Sequence, residues 1–404
     1  MTIIRLISTL TLALVMGSVS MAKAQSSSSP APEPDTTITV SLLTAAPGPE
    51  IYQLEGHSGL RIRTAGSDMV ANWGLFDFNT PNFVYRFVKG ETDYCVGLIP
   101  FSYILNEYQT EKRRLTEQVL NLTPQQARKL SLLVMEAVQP QNRTYRYNYV
   151  LDNCATRPIA FIEKAVADSI HFPVAAAQLG QETTFRNVMR HFHANYPWYQ
   201  FGIDLALGSG IDYPISVRQT AFAPVVLEQI AAHALIGDSI PLVRSTVILN
   251  GGPESGPILP PTPWYLTPLT AMWILAAICL CSAMIACKKH RLAKIAQSIY
   301  FGIIGLMGCI IAFLVCVSTH EATSPNWIIL WLNPLALLVP LLIGFKCCLR
   351  PLRWYMILNL SMIVLYAITC AFGTQSPNAA FLPLALSNII MTVSFLHTSR
   401  EPLN

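Results

Sequence analysis

The sequence predicts an exported α+β domain followed by an all-α bundle of five transmembrane helices. Residues 37–250 alternate strand-like and helix-like patterns, and five uncharged apolar runs follow them. Of the 404 residues only 12% are charged, and the mean hydropathy is +0.41. This composition is too apolar for a single soluble domain and too mixed for a membrane bundle alone, which favours one part of each kind.

Residues 1–24 have the pattern of a secretory signal peptide. Arg5 supplies a positive start, "LISTLTLALVMG" an apolar core, and Ala22–Ala24 a small-residue cleavage site before Gln25. An uncleaved anchor helix is the alternative, but the short apolar core favours removal. Residues 25–36, which include "SSSSPAPEPD", are then a flexible mature N-terminus.

Residues 37–250 form the predicted exported domain. "TTITVSLLTAA", "LRIRT" and "MVANWGLF" have the composition of strands. "TPQQARKLSLLVMEAVQ" has a helical spacing of apolar residues, with Thr123 as its N-cap and Pro124 in the first helical position. This mixture of strands and helices indicates an α+β domain. A Pro-rich linker at 251–264 is stiff enough to hold the domain near a surface.

The predicted membrane domain covers residues 265–397, and 398–404 form a cytoplasmic tail. Each apolar run is close to the ~20 residues that cross a bilayer core. The runs are 266–287, 298–319, 328–345, 354–373 and 379–396. Lys and Arg lie in alternate loops only, so the positive-inside rule places those loops and the C-terminus in the cytoplasm. The rest of the chain, with 21 acids against 19 bases, has no basic excess that would indicate nucleic-acid binding.

Of the ten cysteines, eight lie in or beside the membrane runs, where they serve as small apolar fillers, and only Cys95 and Cys154 belong to the exported domain. Two cysteines in an oxidising compartment often form a disulfide. Cys154, however, follows two good N-cap residues, Asp152 and Asn153. Pro158, which a helix tolerates in its first turn, comes shortly after. Because a helix N-terminus favours a thiolate, a nucleophile is the other interpretation, and the residues alone leave both open.

A thiol nucleophile needs a base, and the exported domain has five histidines. His57, in "LEGHSGLRIRT", stands at the start of a predicted strand, and Gly56 and Gly59 leave its imidazole accessible. "MRHFHANYPW" places two other histidines at a helix end, and the remaining two have no distinctive setting. We therefore expect His57 to be the base if Cys154 is a nucleophile.

Three blocks of the exported domain resemble successive motifs of the Lnb-type lipoprotein N-acyltransferases. They are "EGHSGLRI", "NWGLFDFNTPNFVYRFVKGETDYCVG" and "YRYNYVLDNCATR". "TFRNVMRHFHANYPWYQFGIDLALGSGIDYP" resembles that family's next segment, so the resemblance covers roughly 37–245. The membrane part, with "THEATSPNWIILWLNPL", resembles the tail of members from Bacteroides-like bacteria.

The resemblance implies a permuted papain-like fold, similar to that of NlpC-type amidases and lecithin retinol acyltransferase. In such a fold a histidine on a strand faces a cysteine at the start of a helix. The family implies Cys154 as the nucleophile and His57 as its base. Asn72 would orient the imidazole, with Asp77 as the alternative.

The other residues near the nucleophile have less certain roles. Asp152 and Asn153 either cap the following helix, which we favour, or help to stabilise an oxyanion. Cys95 has no counterpart in the resemblance, and a Cys95–Cys154 disulfide would silence an enzyme of this kind.

A second polar group lies at the outer membrane face. His320, Glu321 and Asn326 fall between two predicted spans, and Asn333 lies inside the third. Polar residues in such places are candidate substrate contacts, and a polar loop with a helix kink is the alternative. The sequence has no phosphate-binding glycine loop and no zinc pattern, so neither a metal nor a cofactor is predicted.

The activity that the resemblance implies is N-acylation of the lipidated N-terminal cysteine of bacterial lipoproteins, through an acyl-thioester on Cys154. The implied partners are lipoproteins and an acyl donor, either a phospholipid or the lipoprotein's own diacylglyceryl group. The implied location is the inner membrane, with the catalytic domain in the periplasm. Two alternatives stay open: a membrane-tethered cell-wall amidase or cysteine peptidase, and a non-enzymatic envelope protein with a Cys95–Cys154 disulfide.

Overall fold

The structure is a computed structural model. It describes residues 37–77, 79–167, 169–173, 183–251 and 259–399. The predicted signal peptide and flexible N-terminus lie outside these ranges, as do residues 252–258 of the linker and 400–404 of the tail.

An antiparallel sheet of seven strands is the centre of the N-terminal domain. The described strands of the domain, in this sheet and in a second one, are β1 (Thr39–Ala45), β2 (His57–Thr64), β3 (Ser67–Leu75), β4 (Asp93–Pro100), β5 (Leu115–Leu120), β6 (Thr144–Arg146), β7 (Ile170–His171), β8 (Leu235–Ile236), β9 (Ile240–Pro241) and β10 (Val243–Ile248). The order in the large sheet is β10-β5-β1-β2-β3-β4-β6, and β7, β8 and β9 form a small second sheet. β1, β2 and β3 coincide with the three segments predicted as strands, and they are adjacent in the sheet.

Eight helices belong to this domain in the described residues. They are α1 (Phe83–Lys89), α2 (Phe101–Thr110), α3 (Pro124–Ala137), α4 (Thr156–Val166), α5 (Phe185–Phe192), α6 (Pro197–Ala206), α7 (Val217–Thr220) and α8 (Pro224–His233). α3 begins where the sequence predicts. The Thr123 side chain accepts from the Gln126 backbone N–H, and the Gln126 side chain accepts from the Thr123 backbone N–H.

The two faces of the sheet carry two apolar cores. Side chains alternate between faces along a strand, so Leu42 points into one core and Leu43 into the other. The larger core includes Trp73 and the inner sides of α3 and α4, and the smaller one packs under α2. The buried face of α4 anchors that helix against the sheet, which fixes the position of the residues just before it.

The C-terminal part is helical. Its helices are α9 (Pro268–Ala286), α10 (His290–Cys316), α11 (Leu338–Leu342), α12 (Leu349–Ala371) and α13 (Phe381–Thr398). By length and composition α9, α10, α12 and α13 can cross a membrane. The predicted span 328–345 is not one continuous helix.

That segment is broken near its middle. Short 3-10 turns at Trp327–Leu330 and Pro334–Leu337 precede α11. Pro334 has no N–H to continue a helix, and the Asn333 side chain accepts from the Leu335 amide, which starts a new turn. Hydropathy alone does not reveal this break, and the count of five membrane-spanning helices stays a prediction.

The N-terminal domain is joined to the outer loops of the membrane helices by buried polar contacts. Arg186 is fully buried between Asp204 and Asp212, at 2.8 and 2.7 Å. Asn378, between α12 and α13, donates to Asp204 at 2.8 Å, and Arg190 donates to Ser376 at 2.7 Å. Charges that share a buried cluster tolerate little displacement, so the two parts are held in one arrangement.

Candidate active site

His57 and Asn72 meet on neighbouring strands. His57 is the first residue of β2, and in the antiparallel register of β2 and β3 the residue opposite Asn72 is Gly59. Asn72 Oδ1 lies 2.6 Å from His57 Nε2. When Nε2–H donates to this oxygen, Nδ1 keeps its lone pair and is able to accept a proton. The geometry thus selects one tautomer of the imidazole.

Cys154 lies in the turn immediately before α4. Ser58, next to His57, donates its hydroxyl to the Cys154 carbonyl at 2.9 Å. Asn153 accepts from the amides of Ala155 and Thr156, at 2.8 and 2.9 Å. Its amide group donates to two further carbonyls. Asn153 therefore stabilises the start of α4 as an N-cap residue would. The four hydrogen bonds of its side chain described here are all made to backbone groups.

Gly74 is the point at which the cysteine and the histidine meet. It has a φ of +93°, and the pairing of β3 with β4 shifts by one residue around it. A side-chain carbon placed on Gly74 would lie 3.5 Å from Cys154 Cβ and 4.0 Å from His57 Cε1. Cys154 and His57 therefore both border the Gly74 position, where a side chain would stand between them.

Burial disfavours the charged form of both Cys154 and His57. Burial raises the pKa of Cys154 to about 12, although hydrogen bonding at the backbone opposes this. Burial also lowers the pKa of His57, against the effect of the hydrogen bond that its Nε2–H donates to Asn72. Burial thus opposes the thiolate that a helix start would favour, and Asn153 accepts from the amides of Ala155 and Thr156 at that start.

The two nearby aspartates have other partners. Asp152 forms a bidentate ion pair with Arg157, with N···O distances of 2.5 and 2.6 Å. Asp77 accepts from the Asn79 amide at 2.8 Å, which closes a local turn. Asn72, and not Asp77, is the residue that contacts the imidazole.

The tyrosine Tyr145 is a site residue that the sequence did not single out. It is buried, and in the described part of the chain no side chain forms a hydrogen bond with its hydroxyl, although the backbone N–H of Gly74 lies close enough to lower its pKa slightly. Its pKa is raised above the usual range, first by burial and then by the proximity of Cys154. Arg157 stacks 3.7 Å above its ring. A buried hydroxyl that no side chain occupies, and whose pKa responds to Cys154, is available to a reacting group.

Glu55 is a second residue that the sequence did not indicate. It is 9% exposed, accepts from the Tyr149 hydroxyl at 2.6 Å, and lies 3.7 Å from His193 Nε2. Burial raises its pKa to about 7, and its charge raises the pKa of Cys154. Glu55 stands two residues before His57, inside the quoted "LEGH" segment, but only burial distinguishes it from a surface carboxylate.

The comparisons with known proteins agree with this architecture. The family model of the Lnb N-terminal periplasmic domain matches residues 34–190, and that of the Lnb transmembrane domain matches residues 261–401. The chain belongs to the Lnb family. This Lnb protein is a membrane protein with an N-terminal periplasmic domain. No curated protein and no solved structure matches it.

Cys95 and Cys154 of this Lnb protein carry free thiols. Cys95 is on β4 directly after Tyr94, whose ring belongs to the same core against which Cys154 packs. Because neighbouring strand residues point to opposite faces, the Cys95 side chain points away from that core. This alternation argues against a Cys95–Cys154 disulfide.

The predicted membrane-face residues make structural contacts. His320 donates to the Phe87 carbonyl at 2.8 Å, and Glu321 opens a short 3-10 turn. Asn326 donates to the Leu205 carbonyl at 2.9 Å, and Asn333 closes its own turn. None of these contacts involves Cys154 or His57. In the described part of the chain, no three His, Cys, Asp or Glu side chains cluster in a way that would hold a metal ion.

Proposed function

We propose that this Lnb protein is a thiol acyltransferase that N-acylates the lipidated N-terminal cysteine of bacterial lipoproteins. The observation that carries the proposal is the space above Gly74, flanked by Cys154 and by an imidazole that Asn72 orients. The domain that holds this pair is fixed to membrane helices. A lipid ester stays in the bilayer because each buried CH₂ contributes about 0.8 kcal/mol, so an enzyme that uses one must work at the membrane.

In the first step, Cys154 attacks the ester carbonyl of a lipid donor. Since the thiol is neutral at rest, His57 Nδ1 takes its proton as the carbon–sulfur bond forms. Asn72 stabilises the resulting imidazolium through the Nε2 hydrogen bond. The carbon–oxygen bond of the ester then breaks, and the imidazolium returns the proton to the leaving alcohol, which leaves an acyl-thioester on Cys154.

The tetrahedral intermediate of this step needs donors for its oxyanion. We assign this role to the Tyr145 hydroxyl and the backbone N–H of Cys154. The hydroxyl is buried with no side-chain partner among the described residues, and the amide lies beside its own sulfur. Donors fixed in a site that excludes water stabilise such a charge strongly.

In the second step, the neutral α-amino group of the lipoprotein's first residue attacks the thioester. His57 accepts one proton from the amine, the carbon–sulfur bond breaks, and the proton returns to the sulfur. The products are an amide and the original thiol, so the cycle balances with no cofactor. The donor is a phospholipid or the lipoprotein's own diacylglyceryl group.

Fold and location follow from the same proposal. A histidine on a strand, facing a cysteine at a helix start and preceding it in sequence, supports the permuted papain-like arrangement that the family resemblance implies. We place the protein in the inner membrane, with the C-terminus in the cytoplasm. This orientation requires that the broken segment 328–345 crosses the bilayer as a fifth span.

Genetic complementation tests the function. In a strain without other N-acyltransferases, Cys154→Ala and His57→Ala should leave lipoprotein N-termini free, as mass spectrometry of lipopeptides will show. Cys95→Ala is the matched control and should support full N-acylation. N-acylation by Cys154→Ala would refute the proposal. Release of peptides from purified peptidoglycan by the full-length protein, without N-acylation, would instead identify a cell-wall amidase or peptidase.

A further inference from the structure

The short helix α1 presents apolar side chains to its surroundings. None of its seven residues is buried. Val84 is 72% exposed, Tyr85 53% and Phe87 44%. Side chains of this kind usually face a partner or a lipid phase when they are exposed together.

The position of α1 is set by the outer end of α10. Ser318 donates to the Val88 carbonyl and the Thr319 amide to the Lys89 carbonyl, each at 2.8 Å. Tyr85 packs against Phe313, in the last turn of α10, with ring centroids 5.9 Å apart. Because α10 is long and apolar enough to span a membrane, its end marks the membrane surface, and α1 lies at that level.

A row of aromatic rings leads from α1 to the active site. Phe83, the first residue of α1, stacks on Phe76 with centroids 5.6 Å apart, and Phe76 packs on Tyr94 at 5.0 Å. Tyr94 stacks on Tyr147 at 4.2 Å. Phe76 is also only two residues beyond Gly74, the glycine that borders Cys154. The row of rings therefore runs from the exposed helix toward the part of β3 that borders Cys154.

The charges of α1 are already paired within the protein. Lys89 lies 2.6 Å from Glu91, and Arg86 lies 3.6 Å from Asp93. These ion pairs reduce the attraction of α1 for an anionic headgroup. Its exposed apolar side chains are then the main surface available to a binding partner. The occupant that fits this surface is a hydrocarbon chain.

We propose that α1 inserts into the adjacent leaflet of the membrane. The acyl chain of a membrane lipid then passes over α1 and along the rings of Phe83, Phe76 and Tyr94 to Cys154. This inference rests on the proposed acyl transfer and names the route of its donor. It makes α1 a lipid-binding element of the reaction.

A crosslinking experiment tests the membrane contact by itself. The photocrosslinking residue benzoylphenylalanine replaces Val84 in the full-length protein, which is reconstituted in phosphatidylethanolamine–phosphatidylglycerol vesicles and irradiated. Leu132 on α3, 61% exposed, is the matched control position. We expect lipid adducts by mass spectrometry at position 84 and not at 132. No adduct at 84, or equal adducts at both positions, would overturn the proposal.

A kinetic experiment tests the route. Acylation of Cys154 is followed by mass spectrometry with two donors, a long-chain phospholipid in vesicles and the water-soluble p-nitrophenyl butyrate. For Val84→Asp we expect the ratio of the long-chain rate to the short-chain rate to fall about tenfold, since a charge replaces an apolar contact with lipid. Leu132→Asp should keep the wild-type ratio.

The outcomes separate the inference from the function. If Val84→Asp leaves the ratio of the long-chain rate to the short-chain rate unchanged, the proposed role of α1 is refuted. If Val84→Asp is inactive with both donors, Val84→Ser replaces it, and its ratio decides in the same way. A wild-type protein that forms no acyl-enzyme with either donor would refute the proposed function, and the crosslinking result would still decide whether α1 contacts lipid.

Discussion

Glu55 gives the most direct test of how burial controls this site. In the described part of the chain, the basic side chain that faces the Glu55 carboxylate is His193, with Nε2 3.7 Å away. Burial also lowers the pKa of His193 to about 4, so this imidazole is neutral at ordinary pH. The substitution Glu55→Gln keeps an oxygen for the Tyr149 hydroxyl and removes the titrating group.

The magnitude follows from the pKa of Glu55, which burial raises from 4.5 to about 7. The folded state therefore keeps the proton at pH values where the unfolded state has lost it. The contribution of Glu55 to stability is complete below pH 4.5 and is lost as the pH rises to about 7. At ~1.4 kcal/mol per pKa unit, the free energy of unfolding should fall by roughly 3 kcal/mol over this range. Glu55→Gln removes this pH-dependent loss.

The measurement is thermal unfolding of the full-length protein in detergent, by intrinsic fluorescence, between pH 4.5 and 8. The Tm of Glu55→Gln minus that of the wild type should increase by roughly 5–10 °C from the acid end to the neutral end. Glu136→Gln, at an exposed position on α3, is the control and should show no such trend. A difference between Glu55→Gln and wild type that is constant with pH would refute the reasoning.

Three further substitutions test the reacting groups through the rate of Cys154 acylation by a lipid donor. Asn72→Ala should slow acylation about 10- to 100-fold, because a hydrogen bond to a charged imidazolium is lost, and an unchanged rate would exclude its orienting role. Tyr145→Phe should slow it about 100-fold with little change in Tm, whereas a normal rate would exclude the hydroxyl as an oxyanion donor. Gly74→Ala should lower both rate and Tm, since an L-residue at φ +93° is strained and its methyl group enters the reaction space; wild-type activity would show that this space is not used.

Several parts of the structure were accessible from the sequence because they depend on local chemistry. The capping box defines the start of α3, and it is formed by Thr123 and Gln126, which are close together in the sequence. The amide of Asn153 binds the first turn of α4 for the same local reason. The pairing of Cys154 with His57 came from the order of family motifs, since nothing local relates two residues so distant in the chain.

Other features arise only when the chain packs. Tyr145 and Glu55 look like ordinary surface residues in the sequence, and their significance comes from burial beside the sulfur. The resting protonation of Cys154 depends equally on burial, which outweighs the helix start. In the membrane part, mean hydropathy over 328–345 satisfied the requirement for a span, but the backbone preferences at Asn333 and Pro334 break the helix.

The buried cluster of Arg186, Asp204 and Asp212 has a consequence for substrate choice. Because Asn378 and Ser376 tie this cluster to the membrane helices, the catalytic sulfur is held at a constant height above the lipid. Under the proposed function, such a fixed position favours a lipoprotein amine that adjoins the lipid anchor. We therefore expect selection by distance, so that the enzyme ignores the amino-acid sequence beyond the first residue and rejects amines carried farther from the bilayer.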